Sequence, residues 1–449
     1  VNPLPLRLSP FEQSLWVDDC PAYPWNILFR LQFSGKLQRE PLQRALQTVT
    51  ARHPFFWARI RKRWTQRFRW EPAEHAAEIA SPVLHWNEHK VGRRPPLRRL
   101  RIEAGESLEV WARDDDSQSE MFVQFSHLAT DGVGAVTFFD ELLQCYTAVA
   151  AGTDVELPER QPHRLQDRGR CGYSRLELLR LVPKLAVGLR GIRQFLGRKP
   201  LPLTPHEASP RTDALPPDYP LLLARTFTEA ETAALRRRAK QEEATLNDLL
   251  TRDLFVTLHA WRRRRGWTTD DWLRLAVPVD MRCPEDAALP AANIVSMVFL
   301  DRRPVDAEDP AALLRTLHDE MKLIKDNHLG LIYLLMLGLT DSTPGLMAWL
   351  AQRQKFTCSA VFSNLMRPLE HSRLPRDEAG RLRVGPLTLH GFEFYPPVRP
   401  YSCAAFGAAT YSNRLTLSLN ADPRFLSAAE ADELLDGLAG QLRATLTAP

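Results

Sequence analysis

The chain has 449 residues, 44% hydrophobic and 25% charged, enough for two or three packed domains, and its formal net charge of +5 is modest for that length. Its six cysteines, at 20, 145, 171, 283, 358 and 403, form no close pair and no metal-like spacing, which excludes a disulfide scaffold and points to free thiols in a reducing compartment. The longest apolar stretch, Leu329 to Leu339, falls short of the roughly 20 residues that span a bilayer and reads as a buried or lid helix, with a resting contact on a membrane as the alternative.

Val1 to Arg7 lack an uninterrupted apolar core behind a basic start, so no secretory signal is read there and a cytoplasmic location is expected. Between Arg59 and Trp70, the basic residues Arg59, Arg61, Lys62, Arg63, Arg67 and Arg69 alternate with Trp64, Phe68 and Trp70, the pattern of an edge hairpin with a solvated face and inward aromatics. Arginine alternating with aromatic rings also grips single-stranded nucleic acid, but the solvated face is the reading taken here. Met121 to Phe125 reads as a buried strand, Gly132 and Gly134 as a sharp turn, and Ala135 to Leu143 as a helix with apolar residues at helical spacing.

Arg168 to Lys199 is the most basic region, with Leu176, Leu179, Leu185, Leu189 and Leu196 at helical spacing. It reads as a linker helix, with contact to anionic lipid as the alternative. Pro200 through Pro220 is rich in proline and has no periodicity, which marks a boundary. Thr228-Glu229-Ala230-Glu231 then opens a helix with an N-cap threonine and early acids, and Arg262 to Arg265 suit a helix end through the helix dipole.

The run Ser126-His127-Leu128-Ala129-Thr130-Asp131-Gly132 carries the chemistry. It places His127 on a loop between strand and helix, where an imidazole of ordinary pKa about 6.5 can take a proton from a hydroxyl or amine and return it to a leaving group. Asp131, four residues on, either reaches back to the ring or pairs with a distant arginine, and the short spacer favours the arginine. One histidine and one aspartate are too few ligands for zinc, so no metal is read here.

These residues resemble the His-His-x-x-x-Asp-Gly hallmark of the CoA-dependent acyltransferase superfamily, which includes chloramphenicol acetyltransferase, condensation domains, wax ester synthases and polyketide-associated acyltransferases. Ser126 stands where the first histidine of that motif falls, and His127, Asp131 and Gly132 match the rest. The resemblance covers most of the chain. Leu8-Ser9-Pro10-Phe11-Glu12, Phe33 to Leu37 and Leu42 to Leu46 resemble the opening strand and helix, and Arg52-His53-Pro54 to Arg59 resemble the family's Arg-His-Pro turn. Further on, Ala244-Thr245-Leu246-Asn247-Asp248 resembles a helix start, and Val277-Pro278-Val279-Asp280-Met281-Arg282 a strand followed by an Asn-containing one at Asn293 to Val298. Ala360-Val361-Phe362-Ser363-Asn364 resembles the strand that crosses between halves, and Leu415 to Asp422 the last core strand. The Asp-Phe-Gly-Trp-Gly motif of the plant branch is absent.

The resemblance implies an α/β protein of two chloramphenicol acetyltransferase-like subdomains, each a mixed sheet flanked by helices, with an active-site tunnel between them. The subdomains are expected at 1–165 and 221–449, with a basic helical and Pro-rich crossover linker at 166–220. His127 is the expected general base, Asp131, Gly132 and Arg282 a structural motif, and Ser126, Asn293, Ser363 and Asn364 tunnel-lining or oxyanion candidates. The implied activity is transfer of an acyl group to a hydroxyl or amine of a lipid or secondary metabolite. Acyl-CoA, or a phosphopantetheine thioester on an acyl carrier protein, is then a co-substrate, with no bound cofactor, no nucleic acid and a peripheral membrane contact among the partners considered. No Gly-x-Ser-x-Gly nucleophile elbow occurs, in keeping with direct transfer. A carrier-dependent condensation enzyme and an inactive binding relative are the competing readings, the second encouraged by Ser126.

Overall fold

The computed structural model describes every residue except 1, 63–67, 75–81, 89–93, 116, 171–184, 207–208, 268, 344, 353–357, 401 and 448–449, and describes only the backbone at 170, 185–187, 189–190 and 351–352. Two six-stranded sheets and one small sheet organise the chain. In the first, Leu387–Tyr395, Asn26–Ser34, Gln118–Ser126 and Leu108–Asp114 run antiparallel, with Val83–Trp86 added in parallel at one edge and Arg383–Val384 at the other. The second is ordered Val295–Arg302, Leu273–Asp280, Ala360–Asn364, Ala404–Tyr411, Arg414–Ala421, Leu221–Thr226. Ala360–Asn364 lies parallel to both its neighbours, which makes the sheet mixed.

Alternation decides the first core. Met121, Val123 and Phe125 point to the face covered by the helix Gly132–Ala151, where the rings of Phe29, Phe125, Phe138 and Phe139 pack with centroids 5.0 to 6.0 Å apart. That helix extends well beyond the Ala135–Leu143 read from the spacing, because its apolar stripe continues through Tyr146 to Ala148 and stops at Gly152 in the left-handed region. A second core joins Leu254, Leu258 and Trp261 of the helix Leu246–Arg264 to Leu434 and Leu438 of the closing helix Ala428–Thr447. Thr228 caps the helix Glu229–Gln241 through a reciprocal bond with Glu231, as its sequence indicated.

The strand Ala360–Asn364 stays inside the second sheet and does not cross between halves. The crossing strand is Leu387–Tyr395, whose Phe392 and Phe394 reach Phe29 at 5.8 and 5.3 Å. Ala360–Asn364 reads as a strand, and only the apolar partners it meets decide which sheet it joins; nothing in the sequence singled out Leu387–Tyr395. The basic residues also need correction. Arg168 is no solvated linker residue: its guanidinium is buried and donates to Glu12 Oε1 at 2.7 Å, while Glu12 Oε2 accepts from Trp70 Nε1 at 3.1 Å. Arg262, read as a dipole partner, is buried and donates to the carbonyls of Pro202 and Leu203 at 2.7 Å, which ties down the Pro-rich segment. In the hairpin, Trp70 is buried and Phe68 meets Trp16, in line with the inward-aromatic reading; Arg63, Trp64 and Arg67 lie outside the described residues, as do Arg175, Arg180 and Lys184.

The Arg-His-Pro turn fastens the two halves. Buried Glu141 accepts from Arg52 Nε at 2.7 Å and Arg160 Nε at 2.5 Å, with His53 Nε2 at 3.4 Å. His53 Nδ1 in turn accepts from the Ala291 amide at 2.8 Å, and Arg160 donates to the Ala287 carbonyl at 2.8 Å. Burial acts to raise the Glu141 carboxyl, but the contacts with His53, Arg52 and Arg160 outweigh it and lower the pKa to about 2. Glu141→Ala leaves Arg52 and Arg160 without their carboxylate, and the expected loss is about 3 to 5 kcal/mol of unfolding free energy, read from the denaturant midpoint. An unchanged midpoint would show that this cluster does not join the halves.

Candidate active site

Asp131 is the N-cap of the helix Gly132–Ala151, and it turns away from the His127 ring. Its Oδ1 accepts from the Gly134 amide and from Arg282 Nη2, each at 2.8 Å, and its Oδ2 accepts from the Ile294 amide at 2.8 Å. One carboxylate thus caps a helix of the first half and binds a side chain and a backbone amide of the second. Arg282 also donates to Asp280 Oδ1 at 2.9 Å and to the Ala292 carbonyl at 3.1 Å. Burial opposes the Arg282 charge, yet the Asp131 and Asp280 carboxylates outweigh it and raise its pKa.

Gly132 and Gly134 are needed for close approach and not for a sharp turn, since neither has a left-handed φ. A Cβ on Gly132 would meet Leu365 Cδ2 at 2.5 Å, a flexible methyl. One on Gly134 would strike Thr130 Oγ1 and come within 3.0 Å of the Ala292 backbone, which is anchored in the seam between halves. Gly134 is therefore the more demanding position.

His127 is half-buried at the cavity wall, between Phe11 and Trp25, whose rings meet it edge-on at centroid distances of 6.1 and 5.6 Å. Its amide donates to the Trp25 carbonyl at 2.7 Å. Behind the ring, Asn293 Nδ2 donates to the carbonyls of His127 and Leu128, both at 2.8 Å. Two carbonyls can be matched only by the NH2 end of that amide, so Oδ1 faces His127 Nδ1 at 3.2 Å and must accept from it. The proton is placed on Nδ1, and Nε2 is left as the acceptor. Burial is the leading cause that lowers the His127 pKa below 6.5; its own backbone, the nearby Asp131 charge, the Asn293 bond and the Thr130 backbone oppose it without reversing it. The lowered pKa favours the neutral ring at pH 7.

The cavity has a volume of about 400 Å³ and draws its wall from both halves and the crossing strand, with Ile27, Val133, Met297, Val361 and Phe394 among its apolar lining. Ser363 and Asn364 line it, whereas Ser126 and Asn293 do not. Ser126 ends the strand Gln118–Ser126, buried in the ladder opposite Asn26, and strand alternation turns it away from the face that His127 presents. Asn293 supports the ring from behind. The Asn364 amide is engaged, donating to Asn247 Oδ1 at 3.1 Å and accepting from the Met366 amide at 2.8 Å. No group of three or more His, Cys, Asp or Glu side chains is arranged to hold a metal among the described residues, and the five described cysteines are free thiols; Cys171 lies outside them.

The sequence did not single out Phe11 and Trp25 as neighbours of the base, or Arg399, which lines the cavity, bonds Asp18 and lies 4.1 Å from the Trp25 ring centre. Their separation along the chain carries no signal of this meeting.

No family model matches the chain. Over 290 residues it is 25% identical to the uncharacterized proteins MT2362 and Rv2305 of Mycobacterium tuberculosis, a match that takes in 62% of this chain and spans 62% of the length of those curated relatives. Among solved structures, the first condensation domain of the CDA synthetase superposes with a TM-score of 0.71 at 14% identity, over 100% of this chain and 98% of that one. The trichothecene 15-O-acetyltransferase TRI3 of Fusarium sporotrichioides gives 0.66 at 10% identity, over 98% and 95%. A mutant starter condensation domain of rhizomide synthetase, in complex with C8-CoA and Leu-SNAC, gives 0.65 at 12%, over 98% and 94%. The chain shares the two-subdomain α/β fold of these condensation domains and of the TRI3 acetyltransferase.

Asp131→Ala removes a buried carboxylate from a half-buried arginine and two backbone amides, and is expected to destabilise the fold by about 3 to 5 kcal/mol. Thermal melting checks this, and an unaltered melting temperature contradicts the clamp. Gly134→Ala is expected to lower the melting temperature more than Gly132→Ala, because the backbone of Ala292 yields less readily than the methyl of Leu365.

Proposed function

We propose that the protein is an acyltransferase with a thioester donor and His127 as general base. The observation that carries this reading is the imidazole at the cavity wall with Nδ1 engaged by Asn293, which leaves Nε2 to accept a proton. An acceptor hydroxyl or amine gives its proton to Nε2 as its oxygen or nitrogen attacks the thioester carbonyl, and the carbonyl electron pair moves onto oxygen. Collapse of that tetrahedral oxyanion breaks the carbon–sulfur bond, and the departing thiolate takes the proton back from Nε2. Thioester and alcohol or amine become ester or amide and free thiol, with no acyl-enzyme. Ser363 supplies a hydroxyl to the oxyanion from the cavity wall, while the amide of Asn364 is already committed.

Acyl-CoA is the donor class we favour, supported by an apolar cavity of a size that suits a small ligand and by the likeness to a domain solved with C8-CoA. The acceptor is a lipid or secondary metabolite. A phosphopantetheine thioester on a carrier protein is the second reading, favoured by the likeness to condensation domains. An inactive relative is disfavoured because Ser126 lies off the cavity wall, so the replaced first position of the motif leaves the reacting face of His127 unaltered. In this reading residues 1–165 and 221–449 form the subdomains and 166–220 the crossover linker, with the strand Leu387–Tyr395 lent to the first.

The test is thiol release from short to long acyl-CoAs, with and without pooled alcohols and amines. Acceptor-dependent release is expected to fall by about 10² to 10⁴ in His127→Ala, the contribution of a positioned base. Retained turnover in the variant would falsify the reading, and transfer only from a loaded carrier protein would select the second donor. The working form of the base is the neutral ring and its pKa is lowered from 6.5, so kcat/KM is expected to hold level above pH 6.5 and to fall only below it. A profile that already declines on acidification from pH 8 to 7 contradicts this assignment. Asn293→Ala is expected to lower kcat more than it raises KM, since Asn293 orients the base without lining the cavity; an equal effect on both would point to substrate contact.

A further inference from the structure

Of the ten large hydrophobic side chains that stand exposed among the described residues, six fall on three helices: Leu196 on Leu185–Gly197, Leu335, Met336 and Leu339 on Gly330–Ser342, and Trp349 and Leu350 on Leu346–Gln352. The three are neighbours. Gly188 packs against Ile332, the rings of Phe195 and Tyr333 both meet Phe299, and Phe195, Tyr333 and Leu350 line the same cavity. Met336 and Leu350 belong to both sets: they line the cavity and are 37% and 48% exposed. They mark an apolar rim between the cavity and the outside. Exposed Arg193 and Lys199 stand on and just after the first of the helices. No described helix is long and apolar enough to cross a membrane.

We propose that this three-helix face docks on an anionic lipid surface and admits an acyl chain to the cavity through the rim formed by Met336 and Leu350. An exposed apolar cluster of this kind is unfavourable in water, and a second protein surface would bury it as well as a lipid would. What selects lipid is the continuity of the apolar surface with the cavity, so that a chain passes from bilayer to cavity without crossing water, together with the flanking cations that attract anionic headgroups. Docking stands independently of the acyl-transfer chemistry; delivery of the chain rests on it.

Co-sedimentation with vesicles of phosphatidylcholine alone and of phosphatidylcholine with 30% phosphatidylglycerol tests the proposal, using wild type and the double variant Leu339→Glu, Trp349→Glu. Neither of these residues lines the cavity, and circular dichroism and melting confirm that the variant is folded. The expected result is binding to the anionic vesicles, weaker binding to the neutral ones, and at least a tenfold loss in the variant. Absence of wild-type binding, or equal binding by the folded variant, overturns it. So does a wild-type dimer in light scattering that the variant abolishes, since a second copy then covers the face. Vesicle binding without thioester turnover leaves docking standing and removes the acyl-transfer reading instead.

Discussion

The carboxylate of Asp131 holds three requirements of the fold in one place. It ends the loop that carries His127 by capping the next helix, it neutralises Arg282, and it receives the Ile294 amide from the segment that runs along the seam. Both oxygens face donors of the helix start and the seam at 2.8 Å, and the imidazole is not among their partners. A charge buried with so many partners is worth more as a geometric constraint than as net stability, since its desolvation offsets much of the attraction. Its consequence is positional: the seam segment arrives at a fixed depth against the first half.

That depth places Asn293 behind His127. One residue before the amide that Asp131 binds, the Asn293 side chain bridges two carbonyls of the histidine loop and fixes the protonated nitrogen of the ring. His127 belongs to one half and the group that sets its tautomer to the other. A second anchor, Glu141 with Arg52, His53 and Arg160, grips the same seam at Ala287 and Ala291. Assembly of the halves and orientation of the His127 ring are thereby the same event.

Much of this was legible in the sequence. The strand before His127, the helix after Asp131 and the capped helix after Thr228 follow from alternation, apolar spacing and cap residues, which act over a few positions. What was not legible depends on contacts between distant segments. Ala360–Asn364 reads as a strand, and nothing local says that it stays inside the second sheet while Leu387–Tyr395 pairs with Asn26–Ser34. Asn293 could be read as a polar residue of interest, but its place behind the ring arises from contacts 165 and 166 residues away. Arg168 and Arg262 counted as basic character in a linear reading, whereas their guanidinium groups are spent inside the protein on Glu12 and on backbone carbonyls.

The ability of His127 to accept a proton depends on which of its nitrogens already carries one. Nitrogen-15 NMR of histidine-labelled protein at pH 7.5, with His127→Gln to assign the signal, reads that directly. A neutral ring protonated at Nδ1 with a bare Nε2 is the predicted result. A proton on Nε2, or a charged ring at that pH, would contradict the claim that the seam between the halves prepares this histidine as a base.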